Sequence, residues 1–208
     1  KTCLGPDNYS YRMFFSSFKN TLNESFEEDL KNIEYFIDIG SNIGWYSLCA
    51  VKSSNCNVIS VEPHPNTFIT LLTNIKINNY SKKIIPINSG ICTKMSSVSI
   101  TDKSSSDKNN LEFASSGGYK ILPLSLDDLI LRVPKGRKIA IKIDVEGLEE
   151  DVILSGQDSF LNRKEIKLIY VEILNKNILS IEKILKNFGF KYIKNTPNIK
   201  SKCVNSIY

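Results

Sequence analysis

From Tyr35 onward the chain alternates short runs rich in Ile and Val with amphipathic stretches, and this alternation limits the possible folds more than any other feature. Tyr35 to Ile39, Val58 to Val61, Ile84 to Asn88, Ile139 to Ile143 and Leu168 to Ile173 are nearly continuous apolar segments. Strands of that kind are buried on both faces, as in a parallel sheet covered by helices on either side. Five parallel strands in an α/β fold are therefore predicted. Between them, residues 66 to 79 place Phe68, Leu71, Leu72 and Ile75 at i, i+3, i+4 and i+7, one apolar helix stripe, with Asn66 as its cap. Ile181, Ile184, Leu185 and Phe188 repeat the spacing, Gly189 supplies a stop, and Phe190 to Ile193 reads as a further strand. A last strand over Cys203 to Tyr208 closes the sheet.

At 208 residues the chain fits one large domain. We read 35–208 as that domain and 1–34 as an N-terminal extension packed on it. The extension carries Tyr9, Tyr11, Phe14, Phe15 and Phe18, then an acidic, helix-prone Glu24 to Asn32. Residues 101 to 118 are polar and read as a solvent loop between β-like runs at Ser97 to Ile100 and Tyr119 to Leu124, with an active-site lid as the alternative. No apolar run approaches the roughly 20 residues of a membrane helix. Lys1 to Tyr11 lacks the pattern of a signal peptide, and with no initial Met an excised domain of a longer polypeptide is expected. Five widely spaced cysteines without a CxxC pair encode neither a zinc ribbon nor a disulfide framework, so a reducing, cytoplasmic compartment is expected. The formal charge of +5 is spread over scattered lysines, which permits nucleic acid without indicating it.

The most informative stretch is Phe36-Ile37-Asp38-Ile39-Gly40-Ser41-Asn42-Ile43-Gly44. An apolar strand containing an acid runs into a glycine turn and then a helix. Glu62 ends the next strand in Val61-Glu62-Pro63, where an acid accepts both hydroxyls of a ribose. Together they place an adenosine-like ligand across the carboxyl ends of the first two strands. The dinucleotide fingerprint needs a glycine at position 42, which is Asn, so a pyrophosphate is disfavoured. Asp38 repels phosphates and attracts an ammonium, and S-adenosylmethionine carries one.

Four strings, FIDIGSNIGWYS, VISVEPHPNTFITLLTNIKINN, LSLDDLI and IKIDVEGLEEDVILSG, together resemble the FkbM-type family of class I S-adenosylmethionine-dependent methyltransferases. The resemblance runs from about Tyr35 to Ile193. It implies a Rossmann-like three-layer sandwich, with a mostly parallel seven-stranded sheet containing one antiparallel strand. It also implies O-methylation of hydroxyls on carbohydrates or small molecules. Asp38, Gly40, Asn42 and Gly44 match the family's first motif, Glu62 with Pro63 the ribose-binding turn, and Ser89-Gly90-Ile91 the region edging the adenine. Cys92-Thr93 departs from the family's small apolar-then-acidic pair.

At the reacting end, Lys142, Asp144 and Glu146 alternate, so the first two share a strand face and Glu146 joins them if the strand persists. The plain reading is a structural Lys142–Asp144 ion pair. The functional one has Asp144 as general base, with Glu146 and the strand-end acid Glu172 orienting the acceptor hydroxyl or a divalent ion, magnesium or calcium. His64, the sole histidine, reads as an adenine-stacking or surface residue. Trp45 and Tyr46 read as core, and Asp127-Asp128 as a helix start capped by Ser125. The competing functions are an RNA 2′-O-methyltransferase, a nicotinamide oxidoreductase and a non-catalytic S-adenosylmethionine-binding module.

Overall fold

The computed structural model of the chain describes residues 22–93, 98–100, 111–112, 119–174, 177–196 and 203–207. In chain order the elements begin with α1 (Leu22–Asp29), β1 (Tyr35–Ile39), α2 (Trp45–Ser54), β2 (Asn57–Val61), α3 (Pro65–Ile77) and β3 (Ile84–Ile87). Three short strands follow, β4 (Val98–Ile100), β5 (Leu111–Glu112) and β6 (Tyr119–Ile121). The second half comprises α4 (Leu126–Ile130), β7 (Ile139–Ile143), α5 (Glu149–Leu154), α6 (Gln157–Asn162), β8 (Ile166–Leu174), α7 (Ile178–Asn187), β9 (Lys194–Thr196) and β10 (Cys203–Ile207).

The main sheet has the order β3-β2-β1-β7-β8-β10-β9. Its first five strands pair in parallel, and the sheet continues through β10, antiparallel to β8, and β9, antiparallel to β10. The fold is α/β and Rossmann-like. Because β1 has β2 on one side and β7 on the other, the strand order reverses there, which makes the carboxyl ends of β1 and β7 the switch point where open α/β sheets bind ligands.

Alternation along the strands divides the core between the two faces. Ile37, Ile39, Ile141 and Ile143 pack with α4 to α7 residues such as Leu126, Val152 and Ile181. Phe36, Val58 and Ala140 pack on the other face with Leu48, Val51 and Leu71, and with Phe26, Leu30 and Ile33 from the α1 region. Phe26 meets Phe36, Tyr46 and Tyr170 edge-on at 5.3 to 5.5 Å. The α1 region is thus core on this face. The aromatics expected at residues 9 to 18 lie outside the described residues.

Several local expectations need correcting. The first residue of α3 is Pro65, capped by His64 and not Asn66, because proline's fixed φ and missing N–H suit that position. Its apolar stripe is narrower than the spacing suggests, for Leu71 and Ile75 are buried whereas Leu72 is exposed. Phe190 to Ile193 is not a strand. Phe188 and Phe190 turn inward onto Phe160, at centroid distances of 5.6 and 5.5 Å, and pairing resumes only at Lys194. Gly189, at φ 88°, ends α7 with Phe190 N donating to Leu185 O. The polar segment is flanked by more than a loop: β4 pairs antiparallel with both β5 and β6, forming a second, separate sheet with a small core of Cys92, Ile100 and Ile121. Residues 101–110 and 113–118 lie outside the described residues, so the lid reading does as well.

Candidate active site

The register of the four central strands aligns a polar row inside an apolar sheet. Asp38 stands opposite Ser60 on β2 and Lys142 on β7, and Lys142 stands opposite Tyr170 on β8. All four side chains point to the face that α1 and α2 cover. Asp38 is fully buried. Its Oδ2 accepts a 2.6 Å bond from Ser47 Oγ of α2, which is also bonded to Ser60 Oγ at 2.9 Å. Asp38 Oδ1 has no hydrogen-bond partner among the described residues, and the Lys142 ammonium lies 3.9 Å away. Burial pushes the Asp38 carboxyl up, against the opposing pull of Lys142 and Ser47.

Lys142 connects the two ends of the site. Its Nζ donates to Asp144 Oδ2 at 2.9 Å and sits 4.7 Å from the centroid of the Tyr46 ring. Burial pulls its pKa down, but the carboxylates of Asp144 and Asp38 outweigh that and hold it above the usual lysine value. The ion pair read from the sequence is therefore formed. Tyr46, read there as plain core, also serves as the surface on which the ammonium rests.

After Asp38 the chain turns sharply. Gly40 N and Ser41 N both donate to Val61 O. Gly40 has φ 74°, and a Cβ there would stand 1.8 Å from the carbonyl oxygen of Asp144, so only glycine lets the β1 turn approach the end of β7 this closely. Asn42, at φ 51°, is a non-glycine residue in the left-handed region. Its N–H donates to Glu62 Oε2 at 2.9 Å, and His64 N donates to Glu62 Oε1 at the same distance. Glu62 is buried, and burial pushes its carboxyl up to about 7 despite these two donors. Gly44 precedes the first residue of α2 as its cap. Ser41 Oγ and Asn42 Oδ1 are buried with no hydrogen-bond partner among the described residues. Such polar atoms, grouped around one turn with Asp38 Oδ1, suit a polar ligand that completes their bonding.

The edge of this region is tied to the second sheet. Asn88 Nδ2 donates to the carbonyls of Glu62 and Pro63. Ser89 Oγ is bonded to Leu122 O at 2.8 Å, and Gly90 O accepts from Leu124 N, so both residues are wired toward the segment after β6. His64 is buried, not on the surface, and its ring meets Tyr119 edge-on at 5.4 Å.

Past β7 the expected alternation stops. The strand ends at Ile143, and Glu146 at φ 54° and Gly147 at φ 108° form a left-handed turn, so Glu146 leaves the strand face and is exposed. Asp144, held to β1 through its N–H to Ile39 O, is about a quarter exposed. On the adjacent strand Glu172 follows Val171, the partner of Ile143, by one residue, but it does not end the strand as expected, because pairing with β10 carries β8 on to Leu174. Burial first, then the charge of Asp144, pushes its carboxyl up to about 7. Among the described residues no group of three His, Cys, Asp or Glu side chains is arranged to hold a metal ion, so the magnesium or calcium expectation finds no ligand set here.

Some wiring escaped the sequence reading. Ser47 bonds Asp38 directly and Ser60 supports it through Ser47, and the signal for Ser60 was a lone polar residue in the middle of an apolar run. Glu149, almost fully buried, accepts from Gly147 N at 2.7 Å. Asp127-Asp128 fulfil the capping expectation: Ser125 and Asp128 cap α4 reciprocally, and Asp127 accepts from Ser159 N.

Comparison with known proteins bears on the fold and the family. A curated relative, the hexuronic acid methyltransferase AglP of Haloferax volcanii, is 29% identical over 153 residues, 73% of this chain and 59% of that protein. The chain thus spans less than two thirds of the relative's length. A precorrin-6y C5,15-methyltransferase from Geobacter metallireducens superposes with a TM-score of 0.55 at 12% identity, covering 98% of this chain and 96% of the other. The METTL16 MTase domain gives 0.57 at 13% identity, covering 100% and 71%. At such identities the likeness is one of fold. No helix among the described residues is long and apolar enough to cross a membrane. The profile of the methyltransferase FkbM domain matches residues 38–192, from the buried acid of β1 to the segment after α7, and the chain belongs to that family of methyltransferases.

Proposed function

We propose that this protein is an S-adenosylmethionine-dependent O-methyltransferase acting on a hydroxyl of a carbohydrate or glycan, or of a small molecule. The observation that carries the reading is the approach of Gly40 to the backbone of Asp144, which brings the turn braced by Glu62 against the acid at the end of β7. The curated relative named for hexuronic acid favours a sugar acceptor.

When bound, S-adenosylmethionine would supply an electrophilic methyl: an O–C bond to the acceptor would form in line as the C–S bond breaks and the thioether S-adenosylhomocysteine leaves. The chain's own task is to hold, orient and deprotonate. Glu62 uses one lone pair on each oxygen for the N–H groups of Asn42 and His64, which leaves acceptor capacity for ribose hydroxyls. Asp38 Oδ1, Ser41 Oγ and Asn42 Oδ1 offer polar partners for the amino-acid part of the ligand. Gly44, Pro63, Ser89 and Gly90 frame the nucleoside through backbone, since the Ser89 hydroxyl is already bonded. Lys142 fixes the Asp144 carboxylate by holding Oδ2. Asp144 accepts the hydrogen bond and then the proton of the acceptor hydroxyl, and Glu172, inside β8 one residue past the partner of Ile143, is the neighbouring carboxyl that shares its field. Glu146, on the exposed turn, orients the acceptor.

The test is incubation with methyl-labelled S-adenosylmethionine against panels of sugars, glycans and small alcohols, with products analysed by mass spectrometry. Label on a hydroxyl oxygen is expected. Transfer to amines alone overturns the reaction class, and a thermal shift with NAD but none with S-adenosylhomocysteine overturns the ligand.

A further inference from the structure

Three consecutive acids open α5, a composition that the helix dipole alone would explain. Each in fact accepts a hydrogen bond from a different part of the chain. Glu149 Oε1 accepts from Gly147 N at 2.7 Å, Glu150 Oε2 from Ser180 Oγ at 2.7 Å, and Asp151 from the Thr93 hydroxyl at 2.6 Å and amide at 3.1 Å. Of the three only Glu149 is buried, at 1% exposure. Its Oε2 has no hydrogen-bond partner among the described residues, an arrangement that is costly for a carboxyl group and that an apolar side chain would avoid.

The bond from Gly147 to Glu149 falls on a constrained stretch of backbone just past the end of β7. Glu146 and Gly147 occupy successive left-handed conformations, the first without the freedom of glycine. Such a pair persists only where its surroundings fix it. On its N-terminal side Asp144 is fixed by the Ile39 carbonyl and by the close approach of Gly40. On its C-terminal side the chain enters the turn at once, and Glu149 clamps that turn.

We propose that Glu149 is a positioning residue: by accepting the Gly147 N–H it sets the left-handed turn at residues 146 and 147, and through that turn the direction in which Asp144 and Glu146 present their carboxylates. The inference rests on the functional reading above in taking Asp144 as the acceptor-facing base. What the role requires is an acceptor atom of the right reach. A formal charge is not required, which agrees with burial pushing the Glu149 carboxyl up. Glutamine therefore substitutes for it, whereas alanine, and aspartate with its shorter reach, do not.

The decisive measurement is amide hydrogen exchange at Gly147 in the ligand-free protein, for the wild type, Glu149→Ala, Glu149→Asp, Glu149→Gln and Glu150→Gln. Loss of the bond is expected to speed exchange at Gly147 about tenfold in the Ala and Asp variants, with β1 and β7 amides unchanged. Glu149→Gln stays within about threefold of wild type and Glu150→Gln is indistinguishable from it. Methyl transfer from labelled S-adenosylmethionine falls about tenfold or more in Glu149→Asp and recovers in Glu149→Gln, while S-adenosylhomocysteine affinity stays within about twofold in both. Unchanged Gly147 exchange in both Ala and Asp variants overturns the proposal, as does a fall in ligand affinity that parallels the fall in turnover. A wild-type protein that transfers no methyl group overturns the functional reading instead, and the exchange comparison still decides the role of Glu149 in the turn.

Discussion

Lys142 Nζ stands 2.9 Å from Asp144 Oδ2, so a buried cation links the base proposed for the acceptor to the interior carboxyl of Asp38, 3.9 Å from the same nitrogen. Removing that cation strands two carboxyls, one of them fully buried. Lys142→Met is expected to cost about 3 kcal/mol at pH 7, the scale for breaking one side of a buried pair. The sign with pH follows from Asp38, whose folded pKa is already raised: its ionised form is the disfavoured one, so the penalty grows as pH rises and shrinks as the group takes a proton. Urea denaturation at pH 7 and near pH 4.5 measures both. An equal loss at the two pH values counts against a charge-based cause.

Gly40 and Gly136 both have positive φ, but only one is crowded. At Gly136 an added Cβ meets nothing within 4 Å, so Gly136→Ala is expected to cost only the left-handed strain of about 1 kcal/mol. Gly40→Ala drives a methyl into the Asp144 carbonyl and separates the turn from β7. It is expected to lose S-adenosylhomocysteine binding by about a hundredfold or more, or to fail to fold. Calorimetric titration with S-adenosylhomocysteine compares the two, and equal affinities refute the assigned contact.

Glu62 gives ligand binding a pH dependence of known sign. With its carboxyl at about 7 in the ligand-free protein, it is substantially protonated near neutrality, and ribose hydroxyls donate best to the carboxylate. Binding S-adenosylmethionine should therefore release protons and strengthen as pH rises from about 6 to 8, then level off. Titration calorimetry in buffers of different ionisation enthalpy counts the protons. Proton uptake would argue that Glu62 does not face the ribose.

Asp144 and Glu172 are expected to differ in what their removal does to turnover. Asp144→Asn should reduce turnover by about 10²- to 10⁴-fold, with ligand affinity retained, as for loss of a general base. In the wild type the rate should rise through about pH 7, where Glu172 titrates, and Glu172→Gln should flatten that rise. Rates at saturating substrate between pH 5.5 and 9 decide it, and an unaltered profile in Glu172→Gln removes Glu172 from the proton path.

What the sequence disclosed and what it concealed differ for physical reasons. β1 and β7 were legible to the residue, because strands buried on both faces leave largely apolar runs, and the charged residues breaking them, Asp38 and Lys142, belong to the proposed site. The link from Asp38 to Ser47 was concealed because helix α2 is polar and apolar on all sides and gives no face to read. Register decided the rest. That Ser60, Asp38, Lys142 and Tyr170 share one row depends on how the strands align, which pattern within a single strand does not specify. Glu149 was hidden by a sufficient simpler explanation, the favourable charge of a helix's first turn, so only its depth and its bond to Gly147 set it apart.

Phe26, Leu30 and Ile33 have a practical bearing on any attempt to trim the protein. A version cut to begin at Tyr35, the apparent start of the catalytic fold, would expose a greasy trench over Phe36, Tyr46 and Tyr170 and strip away Asp29, which bonds the Tyr170 hydroxyl at 3.2 Å. The aromatic shelf under the Lys142 ammonium would lose its backing, and the shortened chain would be sticky in solution and slack beside the proposed base.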